Sequence, residues 1–205
     1  MEDPKEIVKK GYDELSARYR ERFKASHENE YIRWVAEFKS LLPNHGTILE
    51  LGCGDGVPVA RELTRQFQYT GVDLSPVQIE NARKNVTETW FIVADMTQLQ
   101  YTENSYDGII ALYSIIHVPL EQQRQLLKSI YHWLKTPGYF LCTLGINEGT
   151  DTEENWIAEG TTMYWSNNSL SQYLEWLESI GFSIITNQYV SETETTGHAL
   201  LLLKK

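Results

Sequence analysis

Between residues 47 and 144, short apolar runs alternate with helical stretches, and this alternation constrains the fold more than any other feature. The runs lie at 47–51, 68–73, 90–94, 107–113 and 139–144. They are nearly continuous in apolar residues, which is typical of strands buried on both faces of a parallel sheet. Strand and helix alternating four times predict a doubly wound, Rossmann-like α/β sheet with helices on both faces.

The two ends of the chain differ from this central region. At residues 1–43, apolar side chains recur at helical spacing in two successive stretches, which predicts an N-terminal helical cap of two amphipathic helices. The last two apolar runs, 183–190 and 198–203, are joined by a link too short for a crossover helix, so we expect an antiparallel pair. We therefore predict one domain over 1–205, with a core at 47–144 and a further segment, helix and final strand pair at 145–205.

The charge balance disfavours several classes of partner. The chain has 18 Lys and Arg against 28 Asp and Glu, a formal net charge of −10, so it should repel a phosphate backbone and we expect no nucleic-acid partner. The longest wholly apolar run, 199–203, is too short to span a bilayer, and residues 1–5 are not followed by the apolar stretch of a signal peptide. We expect a cytoplasmic protein without a membrane partner.

A glycine-rich turn at residues 52–56 joins the first predicted strand to a helix. Glycine has no Cβ, so such a turn lets a ligand approach the backbone closely. The spacing Gly52-x-Gly54-x-Gly56 departs from the Gly-x-Gly-x-x-Gly pattern of dinucleotide sites, and Asp55 would repel a pyrophosphate at the start of the helix. S-adenosylmethionine has no phosphate and carries sulfonium and ammonium groups, so an acidic turn suits it better.

Acidic residues also follow the next two predicted strands. Asp73 stands 73 − 52 = 21 residues beyond Gly52, where a carboxylate can accept hydrogen bonds from ribose hydroxyls. Asp95 is placed to accept from an adenine amino group, with Met96 against the ring. The alternatives are a solvated loop carboxylate for Asp73 and a turn cap for Asp95.

The motifs Glu-Leu-Gly-Cys-Gly-Asp-Gly at 50–56, Val-Asp-Leu-Ser at 72–75, Ala-Asp-Met at 94–96 and Tyr-Asp-Gly-Ile-Ile at 106–110 resemble those of class I S-adenosylmethionine-dependent methyltransferases. The resemblance implies a seven-stranded, mostly parallel sheet whose last strand inserts antiparallel between the fifth and sixth. It also implies S-adenosylmethionine as cofactor and S-adenosylhomocysteine as product. The motifs are specific for the superfamily and carry little information on the substrate.

The resemblance also implies a role for each matching residue. Gly52, Cys53, Gly54 and Gly56 would line the methionine and ribose part of the cofactor, and Glu50 would orient the turn. Asp73 would bind the ribose hydroxyls, and Leu74 would lie against the adenine. Asp95 and Met96 would contact the adenine edge. Tyr113 would lie near the amino-acid part of the cofactor. Tyr12 and Tyr19 of the helical cap would contact the cofactor, or pack against the sheet edge.

Methyl transfer from a sulfonium needs mainly a well-positioned acceptor in a desolvated site. His117 follows the fourth predicted strand and is the candidate base for a hydroxyl acceptor, with an expected pH step near 6.5, or else a residue that shapes the pocket. The segment 145–168 and the last strand supply an apolar candidate acceptor pocket, or hydrophobic cover for the sheet. Its candidate residues are Trp156, Tyr164, Trp165 and His198.

The expected function is methyl transfer to an oxygen or nitrogen of a small-molecule acceptor, mainly by proximity and orientation. An NAD(P)-dependent oxidoreductase on a similar sheet and a non-catalytic S-adenosylmethionine-binding protein are the alternatives. The two cysteines and the spacing of His, Asp and Glu predict neither a disulfide nor a metal site. The sequence leaves the acceptor and the oligomeric state open.

Overall fold

A computed structural model describes residues 2–87, 89–191 and 197–205, with the side chains of 16–27 outside the description. Its helices are α1 (Pro4–Lys39), α2 (Val59–Leu63), α3 (Pro76–Asn85), α4 (Leu120–Trp133) and α5 (Leu170–Ile180). Its strands are β1 (Thr47–Leu51), β2 (Gln68–Asp73), β3 (Trp90–Val93), β4 (Tyr106–Ala111), β5 (Leu134–Gly145), β6 (Gly149–Glu154), β7 (Thr162–Asn167), β8 (Ser183–Ser191) and β9 (Gly197–Lys204).

The main sheet has seven strands in the order β3-β2-β1-β4-β5-β9-β8 within the described residues. Strands β1 to β5 pair in parallel, whereas β9 runs antiparallel between β5 and β8. This confirms the predicted sheet and the antiparallel insertion of the last strand. The interior strand β9 is buried over most of its length, whereas the edge strand β8 is mostly exposed and has Val190 as its one buried residue.

Both faces of this sheet are covered by helices, because neighbouring residues of a strand point to opposite faces. On one face Leu49 and Leu51 pack with α4 and α5. On the other face Ile48 packs with α1, α2 and α3. The predicted doubly wound arrangement is confirmed, and it brings the carboxyl ends of β1, β2 and β4 to one edge of the sheet.

The helical cap is one helix of 36 residues rather than the two predicted. Asp3 caps its start by accepting a hydrogen bond from the Lys5 backbone N–H at 3.0 Å. The prediction of two helices was wrong because the stretch from 12 to 42 contains neither glycine nor proline, so nothing interrupts the backbone where the apolar face changes.

The segment 145–168 forms a β6–β7 hairpin that the sequence pattern did not indicate, because β6 is polar and fully exposed. Helix α1 packs on β7 at Gly11, where a Cβ would lie 2.8 Å from the Met163 Cε and 2.9 Å from the Thr162 carbonyl oxygen. The strand β5 also begins at Leu134, earlier than predicted. No helix in the described ranges is long and apolar enough to cross a membrane.

Candidate functional site

The glycine turn after β1 is held in a left-handed backbone conformation. Gly52, Gly54 and Gly56 have φ values of 77°, 52° and 77°. A Cβ on Gly52 would lie 2.3 Å from the Ser114 Cβ, and one on Gly56 would lie 3.3 Å from the Phe91 ring. At Gly54 a Cβ would meet no atom within 4 Å. Gly52 and Gly56 therefore serve the packing of the protein, whereas Gly54 leaves space that a ligand can use.

Asp73 ends β2 and fixes this turn. Its Oδ2 accepts a hydrogen bond from the Gly54 backbone N–H at 2.8 Å, and its Oδ1 accepts from the Ser75 N–H at 2.9 Å. Burial raises the pKa of Asp73 to about 6, although these two hydrogen bonds oppose the shift. Asp73 is half-buried, and each carboxylate oxygen keeps acceptor capacity for a further donor, so its predicted role toward the ribose stays a prediction.

Asp95 follows β3 and caps a short 3₁₀ turn, as one of its two predicted roles requires. Its Oδ1 accepts from the Thr97 N–H at 2.8 Å, and its Oδ2 lies 2.7 Å from the Lys5 Nζ of α1. Burial alone would raise the pKa of Asp95, but the Lys5 ammonium and the Thr97 donors lower it. The residues Lys5, Asp73, Leu74, Asp95, Met96 and His117 line a common small cavity.

Two residues of the glycine motif are buried away from this cavity. The Glu50 carboxylate accepts a hydrogen bond from the Tyr69 hydroxyl, and burial raises the pKa of Glu50 to about 8. The Cys53 thiol lies against Gly71, so Cys53 offers a ligand its main chain rather than its sulfur. The role of Glu50 in orienting the turn stays a prediction.

His117 is buried between α1 and β7. Its Nδ1 lies 2.8 Å from the Tyr164 carbonyl oxygen, and its Nε2 lies 2.9 Å from the Tyr12 hydroxyl. A carbonyl only accepts, so Nδ1 donates and Nε2 accepts from Tyr12. Burial lowers the pKa of His117 to about 4, which corrects the expected titration near 6.5. His117 is therefore neutral at pH 7, with its basic nitrogen engaged by Tyr12.

Aromatic side chains surround His117. The Trp165 ring lies 4.5 Å from the His117 ring, and the Trp156 ring lies 5.5 Å from Trp165 and 5.7 Å from Tyr12, between centroids. Tyr164 contributes its carbonyl oxygen to His117, and its side chain packs with Met163 in an apolar cluster that Tyr12, Trp156 and Trp165 also contact. The structure thus brings Trp156 and Trp165 together with His117, and Tyr164 through its main chain.

Tyr113 and His198 form a second aromatic pair beside β4 and β5. Tyr113 has φ of 51°, a conformation that L residues rarely adopt, and its backbone N–H donates to the Thr143 hydroxyl at 2.5 Å. Its ring lies 5.1 Å from the His198 ring, and His198 stands opposite Gly145 in the β5–β9 register. Tyr19 lies outside the described side chains, so its predicted contact stays a prediction.

Two site residues that the sequence did not single out come from α1. Lys5 reaches Asp95, and the Asp13 Oδ1 accepts from the Ser75 hydroxyl at 2.5 Å. Both stand at polar positions of an amphipathic helix, where a charged residue is usual, so no pattern marked them. No group of His, Cys, Asp and Glu suited to a metal occurs in the described part of the chain.

The core of the chain matches a known domain, and its fold matches solved structures. Residues 48–138 match the model of a methyltransferase domain. The fold matches a Burkholderia thailandensis 1,6-didemethyltoxoflavin-N1-methyltransferase that was solved with 1,6-didemethyltoxoflavin and S-adenosylhomocysteine bound. The TM-score is 0.74 and the sequence identity is 17%, and the match covers 100% of this chain and 91% of that chain. Residues 48–138 therefore carry a methyltransferase domain, which supports the predicted resemblance to class I S-adenosylmethionine-dependent methyltransferases. The same match favours S-adenosylmethionine over a dinucleotide as the cofactor.

Two curated methyltransferases resemble this chain in sequence. Methyltransferase GfsG of Streptomyces halstedii is 30% identical over 167 residues, which are 75% of this chain and 59% of GfsG. A tRNA (carboxymethyluridine(34)-5-O)-methyltransferase of Arabidopsis thaliana is 25% identical over 175 residues, 78% of this chain and 41% of that protein. The chain spans about half the length of the curated relatives it matches.

Proposed function

We propose that this methyltransferase moves the methyl group of S-adenosylmethionine to an oxygen or nitrogen of a small-molecule acceptor. The observation that carries the proposal is the position of His117. It lines the cavity that contains Asp73 and Asp95, and it stacks on Trp165 of the aromatic group. We therefore assign the acceptor to the aromatic residues next to His117, beside the proposed cofactor cavity, since transfer needs the two molecules side by side.

The residues of the cavity fit the cofactor. Gly54 leaves space beside the turn, which suits the methionine and ribose part. Asp73 has acceptor capacity left for ribose hydroxyls, while Leu74, Asp95 and Met96 line the part assigned to the adenine. The bound cofactor supplies an electrophilic methyl group on a sulfonium, which needs no further activation.

The acceptor side favours positioning over base catalysis. A histidine with a pKa of about 4 is a weak base at neutral pH, and the Tyr12 hydroxyl already occupies its Nε2. A neutral amine or heterocyclic nitrogen can attack a methyl group before it loses a proton. We therefore assign His117 and Tyr12 to holding the acceptor, and the rate enhancement mainly to proximity and desolvation.

A nucleic-acid acceptor, as named for the Arabidopsis relative, fits this chain less well. The net charge of −10 opposes a phosphate backbone. Tyr12, His117, Trp156 and Trp165, which form the proposed acceptor wall, include no Lys or Arg that would pair with a phosphate.

Two measurements test the proposed function. S-adenosylhomocysteine should raise the melting temperature of the wild-type chain, and NAD should not, since only a bound ligand stabilises the fold by mass action. Methyl-labelled S-adenosylmethionine should then label a small-molecule acceptor. Binding of S-adenosylhomocysteine without transfer to any acceptor would support a non-catalytic cofactor-binding protein, and a shift with NAD alone would contradict the cofactor assignment.

A further inference from the structure

Two buried polar atoms of β7 have no hydrogen-bond partner among the described residues. Within the described residues, the buried Trp165 Nε1 and Asn167 Oδ1 have no partner. Protein interiors leave few such atoms, and a buried indole N–H usually finds an acceptor. The described residues therefore leave these two atoms open to a partner from outside this part of the chain.

The two atoms share one face of β7. Trp165 and Asn167 are two residues apart in this strand, so their side chains point to the same side. Trp165 stacks on His117, and Asn167 lies across the end of β5, where a Cβ on Gly145 would be 2.2 Å from the Asn167 Oδ1. Because Gly145 has no side chain, the amide has room beside the carboxyl end of β5, close to the proposed transfer site.

The surrounding wall is aromatic and uncharged. Tyr12, His117, Trp156 and Trp165 are linked by ring contacts, and none carries a formal charge at neutral pH. A carboxylate, phosphate or ammonium on the acceptor would lose its hydration here without gaining an opposite charge from these residues. Flat rings match such walls, since aromatic pairs gain from stacked and edge-to-face contacts.

We propose that the acceptor is a planar, uncharged aromatic or heteroaromatic molecule that binds the Trp165 indole N–H through a hydrogen-bond acceptor and the Asn167 side-chain oxygen through a hydrogen-bond donor. A ring that contains an amide, with N–H and C=O on its edge, supplies both groups. This assignment rests on the proposed function and adds the class of substrate to it.

The test compares two probes that differ in one donor. We choose 2-quinolone, which has a ring N–H and C=O, and N-methyl-2-quinolone, which lacks the N–H. Their affinities are measured by calorimetry on the protein saturated with S-adenosylhomocysteine. Trp165→Phe should weaken both probes about tenfold, whereas Asn167→Leu should weaken 2-quinolone about tenfold and leave N-methyl-2-quinolone unchanged, as expected for loss of one hydrogen bond.

Matched variants separate recognition from stability. Trp90→Phe changes an indole on the edge strand β3 that is 77% exposed, and Asn187→Leu changes an exposed amide of β8, so neither should alter probe affinity. Melting temperatures of all four variants are measured alongside. If Asn167→Leu does not fold, Trp165→Phe against Trp90→Phe still decides whether the indole N–H is used.

Each outcome bears on one claim. Equal losses for the two probes with Asn167→Leu, or no loss with Trp165→Phe, would overturn the inference. So would failure of both probes to bind a chain that binds S-adenosylhomocysteine, or tighter binding of the anionic 2-naphthoate. The proposed function would survive these results, whereas failure of S-adenosylhomocysteine itself to bind would contradict the proposed function instead.

Discussion

Two glycines of this chain offer a matched test of the proposed cofactor turn. Gly54 and Gly160 both have positive φ, 52° and 85°, and a Cβ at either position would meet no atom within 4 Å. Gly54 lies in the turn that Asp73 holds, whereas Gly160 lies in the exposed loop between β6 and β7. Valine at either position faces the same kind of backbone strain, but only the valine at 54 would occupy the proposed cofactor space.

The backbone strain of valine at a positive φ determines how much stability each variant should lose. A left-handed conformation costs an L residue about 1–2 kcal/mol, and more when the side chain is β-branched. For a chain of this size each kcal/mol lowers the melting temperature by roughly 2–4 °C. Gly54→Val and Gly160→Val should therefore both stay folded and melt several degrees below the wild type.

Cofactor binding should separate the two variants. We expect Gly160→Val to bind S-adenosylhomocysteine like the wild type, and Gly54→Val to lose at least about a hundredfold in affinity, since one branched side chain would replace several good contacts. Calorimetric titration of both variants below their melting temperatures measures this. Equal affinities for the two variants would refute the reasoning, because the turn would then have no ligand role.

Three further changes test the remaining residues. Asp73→Ala should weaken S-adenosylhomocysteine binding by about 1.5–3 kcal/mol, the value of a charge-assisted hydrogen bond, and unchanged calorimetric affinity would remove Asp73 from the site. The wild-type transfer rate should show no step near pH 6.5, because burial lowers the pKa of His117 to about 4. His117→Gln should raise the acceptor KM more than it lowers kcat. A step in the wild-type rate near pH 6.5 that is absent from the variant would show that His117 is the base. Burial raises the pKa of Glu50 to about 8, whereas the unfolded state releases this proton above about pH 4.3. The folded state therefore binds one more proton between about pH 4.3 and pH 8, and the free energy of unfolding falls as the pH rises through this range. Between pH 6 and 8, urea denaturation should show a smaller loss of unfolding free energy for Glu50→Gln than for the wild type. The same pH dependence in both proteins would show that Glu50 titrates normally.

The sheet could be predicted from the sequence because its rules are local. Continuous apolar runs and turn residues predict the strands, and the short link before β9 predicts the antiparallel final pair. The place of β9 between β5 and β8 is implied by the resemblance that the motifs carry. The absence of Gly and Pro from residues 12–42 is a local signal for one continuous helix α1, whereas the β6–β7 hairpin could not be predicted, because it depends on packing. Helix α1 is held on β7 through a close contact at Gly11, and the polar strand β6 is exposed throughout and pairs only with β7 within the described sheet.

The residues of the candidate site also divide into those that the sequence could predict and those that it could not. Gly54, Asp73 and Asp95 stand at fixed distances from strand ends, so the chain sequence marks them directly. The ion pair between Lys5 and Asp95 joins residues 90 positions apart, and no local pattern encodes it. The low pKa of His117 also arises from tertiary burial beneath α1 and β7, which the residue type and its position after β4 do not reveal.

The central claim is that this chain transfers a methyl group to a small molecule. Its most direct test incubates the wild-type protein with methyl-labelled S-adenosylmethionine and a cell extract, and then separates the products into small molecules, RNA and protein. The account predicts label in the small-molecule fraction, and predicts that Gly54→Val abolishes it while Gly160→Val retains it. Label in RNA or protein alone, or equal labelling by the two valine variants, would contradict the account.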